Sequence, residues 1–97
     1  MQARIECGFA GKSMGFDYLQ WIKDKAEGYG ITGLTYLKED GTIAVVAEGE
    51  KRKLEKFSMK LSKGHFWHQI ENFYLNWSDA SGTFPSFEIA TDEVNFM

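Results

Sequence analysis

Apolar and polar residues alternate at the start of the chain. Ile5, Cys7 and Phe9 fall on one side, and Arg4, Glu6 and Gly8 on the other. That period of two predicts a half-buried β-strand over residues 3–9. From residue 16 to about 27 the period lengthens to that of a helix: Leu19, Ile22, Ala26 and Tyr29 line one face, and Lys23, Asp24, Lys25 and Glu27 lie mostly on the other. Gly28 and Gly30 stop the run, as glycine does at helix C-termini. Residues 31–38 are strand-like again, with Leu34, Thr35, Tyr36 and Leu37 carrying good β propensity. Asp40-Gly41 signals a tight hairpin, since both residues tolerate positive φ. The hairpin leads into a third strand over 42–47, with Ile43, Val45 and Val46 as its apolar content. Gly49 opens a second helix that runs to about Ser62. Leu54, Phe57 and Leu61 form its apolar stripe, and Lys63-Gly64 ends it.

Residues 66–77 form a long aromatic strand whose alternation slips. His68 and Ile70 share a face, but Phe73 and Leu75 continue out of phase. One extra residue near Glu71-Asn72, a β-bulge, repairs the phase. Residues 78–82 are turn-rich, and residues 84–90 form a last strand with Phe87 and Ile89 on one face. Pro85 places the start of that strand at an edge or bulge, and residues 91–97 are a polar tail. Two right-handed β-α-β units feeding one sheet satisfy this order most simply. The predicted fold is α+β: a ferredoxin-like βαββαβ sandwich with a final extra strand, its antiparallel sheet covered on one face by two helices.

With 97 residues, 43% of them hydrophobic, the chain suits one domain over 1–97 with a tail from about 92. Cys7 is the only cysteine, so no internal disulfide is possible. It reads as a small buried apolar residue. The N-terminus lacks the apolar core of a signal peptide and no stretch has the length of a membrane span, so a cytoplasmic, reducing location is expected. A net charge of −3 argues against a nucleic-acid partner. The cations gathered at 51–53, 56, 60 and 63 read as the solvated face of a helix. His65 and His68 read as structural, and no metal or cofactor is expected. The rings of Phe66, Trp67, Phe73, Tyr74 and Trp77 exceed what one sheet face can bury, so some emerge. They would offer a surface for a protein partner or a second copy, or stand as single exposed rings.

The stretch with chemical potential is Gly8-Phe9-Ala10-Gly11-Lys12-Ser13-Met14-Gly15-Phe16-Asp17. A glycine-rich turn between strand and helix points several backbone N–H groups at one anion. Gly11, Lys12, Ser13, Met14, Gly15 and Phe16 are therefore the candidates for binding phosphate or another small anion. Lys12 can supply a point charge there or be an ordinary loop lysine. Ser13 can bind an anion or cap the helix.

The residues 40–49 (Asp40-Gly41-Thr42-Ile43-Ala44-Val45-Val46-Ala47-Glu48-Gly49) resemble the third-strand pattern D-G-x-V-x-x-x-x-x-G of the acylphosphatases. Leu54, Phe57, Leu61 and Gly64 resemble that family's second-helix pattern, Ile70 and Phe73 its fourth strand, Phe87-Glu88-Ile89 its closing strand, and Gly30-Ile31-Thr32-Gly33 the opening of its second strand. The resemblance covers most of the chain. It implies a loop whose N–H groups cradle a phosphate, an arginine that forks onto the phosphate oxygens, and an asparagine that orients the attacking water. The loop here matches the family's G-x-V-Q-G-V-G-F-R at Gly8, Gly15 and Phe16, and its arginine position falls on Asp17. The asparagine position, four residues after Gly33, falls on Leu37. A carboxylate beside a phosphate opposes it: two like charges 4 Å apart at an effective dielectric of 20 cost roughly 4 kcal/mol. Asp17 in the first helical turn instead complements the helix dipole. It is expected to turn its carboxylate back into the N–H nest. The resemblance thus implies either a domain that has lost carboxyl-phosphate hydrolysis and binds or supports something else, or an acylphosphatase in which Lys12 and the 11–15 loop replace the missing pair.

Overall fold

The structure, a computed structural model, describes residues 1–11, 15–64 and 70–90. It contains β1 (Gln2–Ala10), α1 (Phe16–Gly28), β2 (Thr32–Leu37), β3 (Ile43–Glu50), α2 (Lys51–Lys63), β4 (Glu71–Asp79) and β5 (Phe87–Ile89). The five strands form one sheet in the order β4-β1-β3-β2-β5. Two helices packed on this sheet make the α+β ferredoxin-like fold. The sheet is mixed rather than purely antiparallel, because β5 runs parallel to β2. The direction follows from the path. β4 is antiparallel to β1 and leaves the sheet beside Ala3. The chain then enters β5 beside Gly33, at the start of β2, so it must run the way β2 runs.

The inward face of β1 is the expected one: Ile5, Cys7 and Phe9 are buried with Ile43, Val45 and Ala47 of β3. Leu54, Phe57 and Leu61 of α2 close the core from one side. From α1 come Leu19, Ile22 and Ala26, and also Tyr18, which the pattern did not single out. Val46, counted with the apolar content of β3, is only half-buried and points to the open face. Gly30, rather than Gly28, stops α1. It has φ 70, its N–H donates to the Glu27 carbonyl, and the Ile31 N–H donates back to the Ala26 carbonyl. That is the Schellman arrangement, with Gly30 in the left-handed position.

Several boundaries differ from the expected ones. The hairpin loop has three residues, with the Gly41 N–H bonded to the Lys38 carbonyl and the Lys38 N–H to the Thr42 carbonyl. Only Gly41 takes a positive φ (89°) there. Asp40 instead accepts bonds from the Thr42 N–H and hydroxyl. Gly49 belongs to β3, where it is buried against Ile31, and α2 starts directly after it at Lys51. Ser78 and Asp79, expected in a loop, extend β4 by pairing with Arg4 and Ala3. β5 is three residues long, and Phe84 and Pro85 precede it. The bulge is where the phase predicted it: β4 carries one extra residue opposite β1 between Gly8 and Ala10, and Asn72 has φ 55. Residues 66–69 of the expected aromatic strand, His65, and the tail from 91 lie outside the described residues.

Gly33 is sterically required. Its φ is 143°, and a Cβ built there would stand 1.9 Å from the Val46 carbonyl oxygen. Only a residue without a side chain lets β2 lie this close to β3.

Glu48 was not anticipated. It is 3% exposed, yet charged. Its Oε2 accepts bonds from the Ser81 N–H (2.9 Å), the Ser81 hydroxyl (2.7 Å) and Arg4 Nη1 (3.2 Å), and its Oε1 from the Gly82 N–H (2.9 Å). Burial pushes its pKa up, but the bonds from Ser81, Gly82 and Arg4 outweigh burial and hold it below the ordinary value. Arg4 also pairs with Glu6 and lies over the Phe84 ring. This knot ties the chain between β4 and β5 onto the middle of the sheet.

Candidate functional site

β1 hands the chain to Gly11 at the end of the sheet where the β2–β3 hairpin also lies, since Phe9 is registered with Ile43 and Ile43 with Leu37. Gly15 is the N-cap residue before α1, with an extended backbone (φ −136°, ψ −154°) and no side chain to cap the helix. The Gly15 carbonyl accepts the N–H groups of Tyr18 (3.0 Å) and Leu19 (3.3 Å). The N–H groups of Phe16 and Asp17 find no acceptor among the described residues. Free donors on a helix N-terminus favour an anion. Lys12, Ser13 and Met14 lie outside the described residues, so the candidate loop is described only at Gly11, Gly15 and Phe16.

The two positions singled out by sequence part company here. Leu37 ends β2, is 39% exposed, and lines a recess of about 210 Å³ with Phe16, Leu19 and Ala90. Phe16 is 59% exposed at its rim. Among the described residues every lining side chain is apolar. Asp17 is one position further round the helix and does not line this recess. Its Oδ1 is turned back to within 3.7 Å of where a Gly15 Cβ would stand. The N–H groups of residues 12–14, into which Asp17 was expected to turn, lie outside the described residues.

On the opposite face of the sheet, Gly8, Ala10, Lys38, Asp40, Thr42, Asn72 and Tyr74 line a second recess of about 300 Å³. Lys38 is a cation at this end of the sheet that the sequence did not single out. Nothing in its local pattern marks it, and only the pairing of β3 with β1 brings the hairpin beside the end of β1. Asp40 explains itself as a turn residue: the bonds from the Thr42 hydroxyl and N–H hold its carboxyl below the ordinary range.

Cys7 is buried between β3 and β4, and burial pushes its thiol up to about 12. At neutral pH it is a thiol rather than a nucleophilic thiolate. No three metal-ligating side chains come together among the described residues. Among the rings of β4, Phe73 packs on the core, while Tyr74 and Trp77 are exposed. Tyr74 is registered with Gly8 and Trp77 with Ile5, so these two emerge on opposite faces of the sheet and do not form one patch. Phe66, Trp67 and His68 lie outside the described residues.

The sequence profile of the acylphosphatases matches residues 6–89. The chain belongs to the acylphosphatase family. It is similar to an acylphosphatase from Pelotomaculum thermopropionicum, at 30% identity over 89 residues covering 92% of this chain and 97% of that one. A second acylphosphatase, from an Arthrobacter species, is 33% identical over 92% of this chain and 78% of its own length. In three dimensions the acylphosphatase of Bacillus subtilis superposes with a TM-score of 0.83 at 17% identity, over 91% of this chain and 98% of its own. That last likeness speaks for the fold alone. In this acylphosphatase-family domain the start of α1 and the end of β2 meet at the recess that Phe16, Leu19 and Leu37 line.

Proposed function

We propose that this acylphosphatase-family domain no longer hydrolyses carboxyl phosphates and acts as a binding or structural module that keeps an anion-receptive helix start. The carrying observation is the apolar recess of Leu37, Phe16, Leu19 and Ala90. Orienting an attacking water takes a hydrogen-bonding group beside it. Among the described residues the side chains of this recess supply none. Asp17 adds a like charge beside any bound anion. A small anion such as phosphate, held by the N–H groups at residues 15–17, remains the ligand of this reading.

The second reading is hydrolysis, with Lys12 and the 11–15 loop in place of the arginine. The comparisons by themselves favour it, because the curated relatives are named acylphosphatases. Turnover of benzoyl phosphate decides between the two. The first reading expects a rate at the uncatalysed background for the parent chain, and activity in the Asp17→Arg, Leu37→Asn double variant. Clear turnover by the parent, abolished in Lys12→Ala, overturns it and establishes the second.

A further inference from the structure

The outer face of α2 is the strongest unexplained feature of the surface. Lys51, Arg52, Lys53, Lys56, Lys60 and Lys63 against one acid, Glu55, give this helix a formal +5. The rest of a chain whose net charge is −3 therefore carries −8. At 3.6 residues per turn, Arg52, Lys53, Lys56, Lys60 and Lys63 fall within a wedge of roughly 100°. Its centre lies about 120° round the helix from that of Leu54, Phe57 and Leu61, and it runs the length of the helix, about 20 Å. Among the described residues none of these cations has an acidic partner within ion-pair distance: the ion pairs present use Arg4 and Lys23.

The needs of the helix do not account for the charges. Lys60 and Lys63 in the last turn suit the dipole, but Lys51, Arg52 and Lys53 occupy the first turn, which has no acid. Cations there oppose the helix dipole. The stripe also has a shape. Lys56, Lys60 and Lys63 surround a recess of about 230 Å³ whose remaining walls are Tyr29 and the exposed Met59.

We propose that the outer face of α2 is a docking surface for an acidic polypeptide segment that places one apolar side chain between Tyr29 and Met59. Charge complementarity selects a polyanionic partner, and the recess provides the anchor that fixes register. A membrane surface fits less well, because the apolar face of α2 is spent on the core and Met59 is the only large apolar side chain on its outside. A long nucleic acid fits less well, because the −8 on the rest of the chain repels it beyond the one helix. The docking surface is independent of whether the turn after β1 hydrolyses anything.

The test is fluorescence anisotropy with the intact chain and a labelled Glu/Asp-rich peptide carrying one central phenylalanine. The Lys56→Gln, Lys60→Gln, Lys63→Gln triple variant should bind roughly tenfold or more weakly, as expected for lost close charge pairs. Lys38→Gln on the hairpin should bind as the parent does. Tyr29→Ala should remove the advantage of the phenylalanine peptide over the same peptide with serine in its place. Circular dichroism shows that each variant is folded. The proposal is overturned if the triple variant binds as tightly as the parent. It is overturned equally if phenylalanine gives no advantage, or if a single-stranded oligonucleotide or phosphatidylserine vesicles bind more tightly than the peptide at equal salt.

Discussion

At one end of the β1–β3 pair, Arg4 faces Glu48, and every oxygen of that buried carboxylate is occupied by Ser81, Gly82 or Arg4. At the other end, Phe9 faces Ile43, and the chain opens onto a helix start without a cap and a recess walled by Leu37, Phe16, Leu19 and Ala90. The first end spends polar chemistry on holding the chain together. The second exposes hydrocarbon where the fold could carry chemistry. A buried charge survives only with its hydrogen bonds complete, so the knot tolerates little change. An exposed apolar rim has no such requirement and is free to drift.

That contrast can be broken first at Glu48. Glu48→Ala removes the acceptor for three donors and leaves Arg4 without its buried partner, so stability should fall by about 3 kcal/mol. A urea-unfolding midpoint that barely moves would erase the distinction between the two ends. Acid probes the same group more gently. Its folded pKa lies below its unfolded value, so its stabilisation is present above the unfolded pKa and is lost as pH falls through the folded one. The thermal midpoint of the parent should drop between about pH 5 and pH 3, and that drop should be shallower in Glu48→Gln. Asp40 shifts in the same direction but is common to both proteins.

Midway along the sheet, buried Thr35 donates its hydroxyl to the Ala44 carbonyl at 2.9 Å. Thr35→Val should cost about 1 kcal/mol, between the two ends, in the same urea titration. Least of all should come from Leu37→Asn. Its side chain is already 39% exposed at the end of β2, so the change in unfolding free energy should stay within about 0.5 kcal/mol. A much larger loss would mean that the apolar recess is a structural requirement, and the reading of that end would have to change.

The alternation of Ile5, Cys7 and Phe9, the stripes of both helices and the phase slip at Glu71-Asn72 were legible because each is a local record of one face being buried. The end of α1 was legible only to within two residues, since Gly28 and Gly30 both suit a helix stop and the left-handed backbone falls on Gly30. Glu48 was hidden. In the sequence it is one acid in a strand, and its donors lie 33 and 34 residues away at Ser81 and Gly82. Lys38 was hidden for the same reason. Asp17 and Leu37 were found only through the family pattern, and the structure separated them: Leu37 walls the recess and Asp17 does not.

Periodicity and spacing alone specify the order of the strands and helices, the faces that Ile5, Cys7, Phe9, Leu54, Phe57 and Leu61 bury, and that the turn after β1 is rich in glycine. These are properties of neighbours along the chain, where burial repeats with the geometry of each element. The direction of β5, the knot around Glu48 and the lysines of α2 that have no acidic partner among the described residues belong to the tertiary structure. Each depends on groups far apart in sequence, and their distances exist only once the sheet has closed in the order β4-β1-β3-β2-β5.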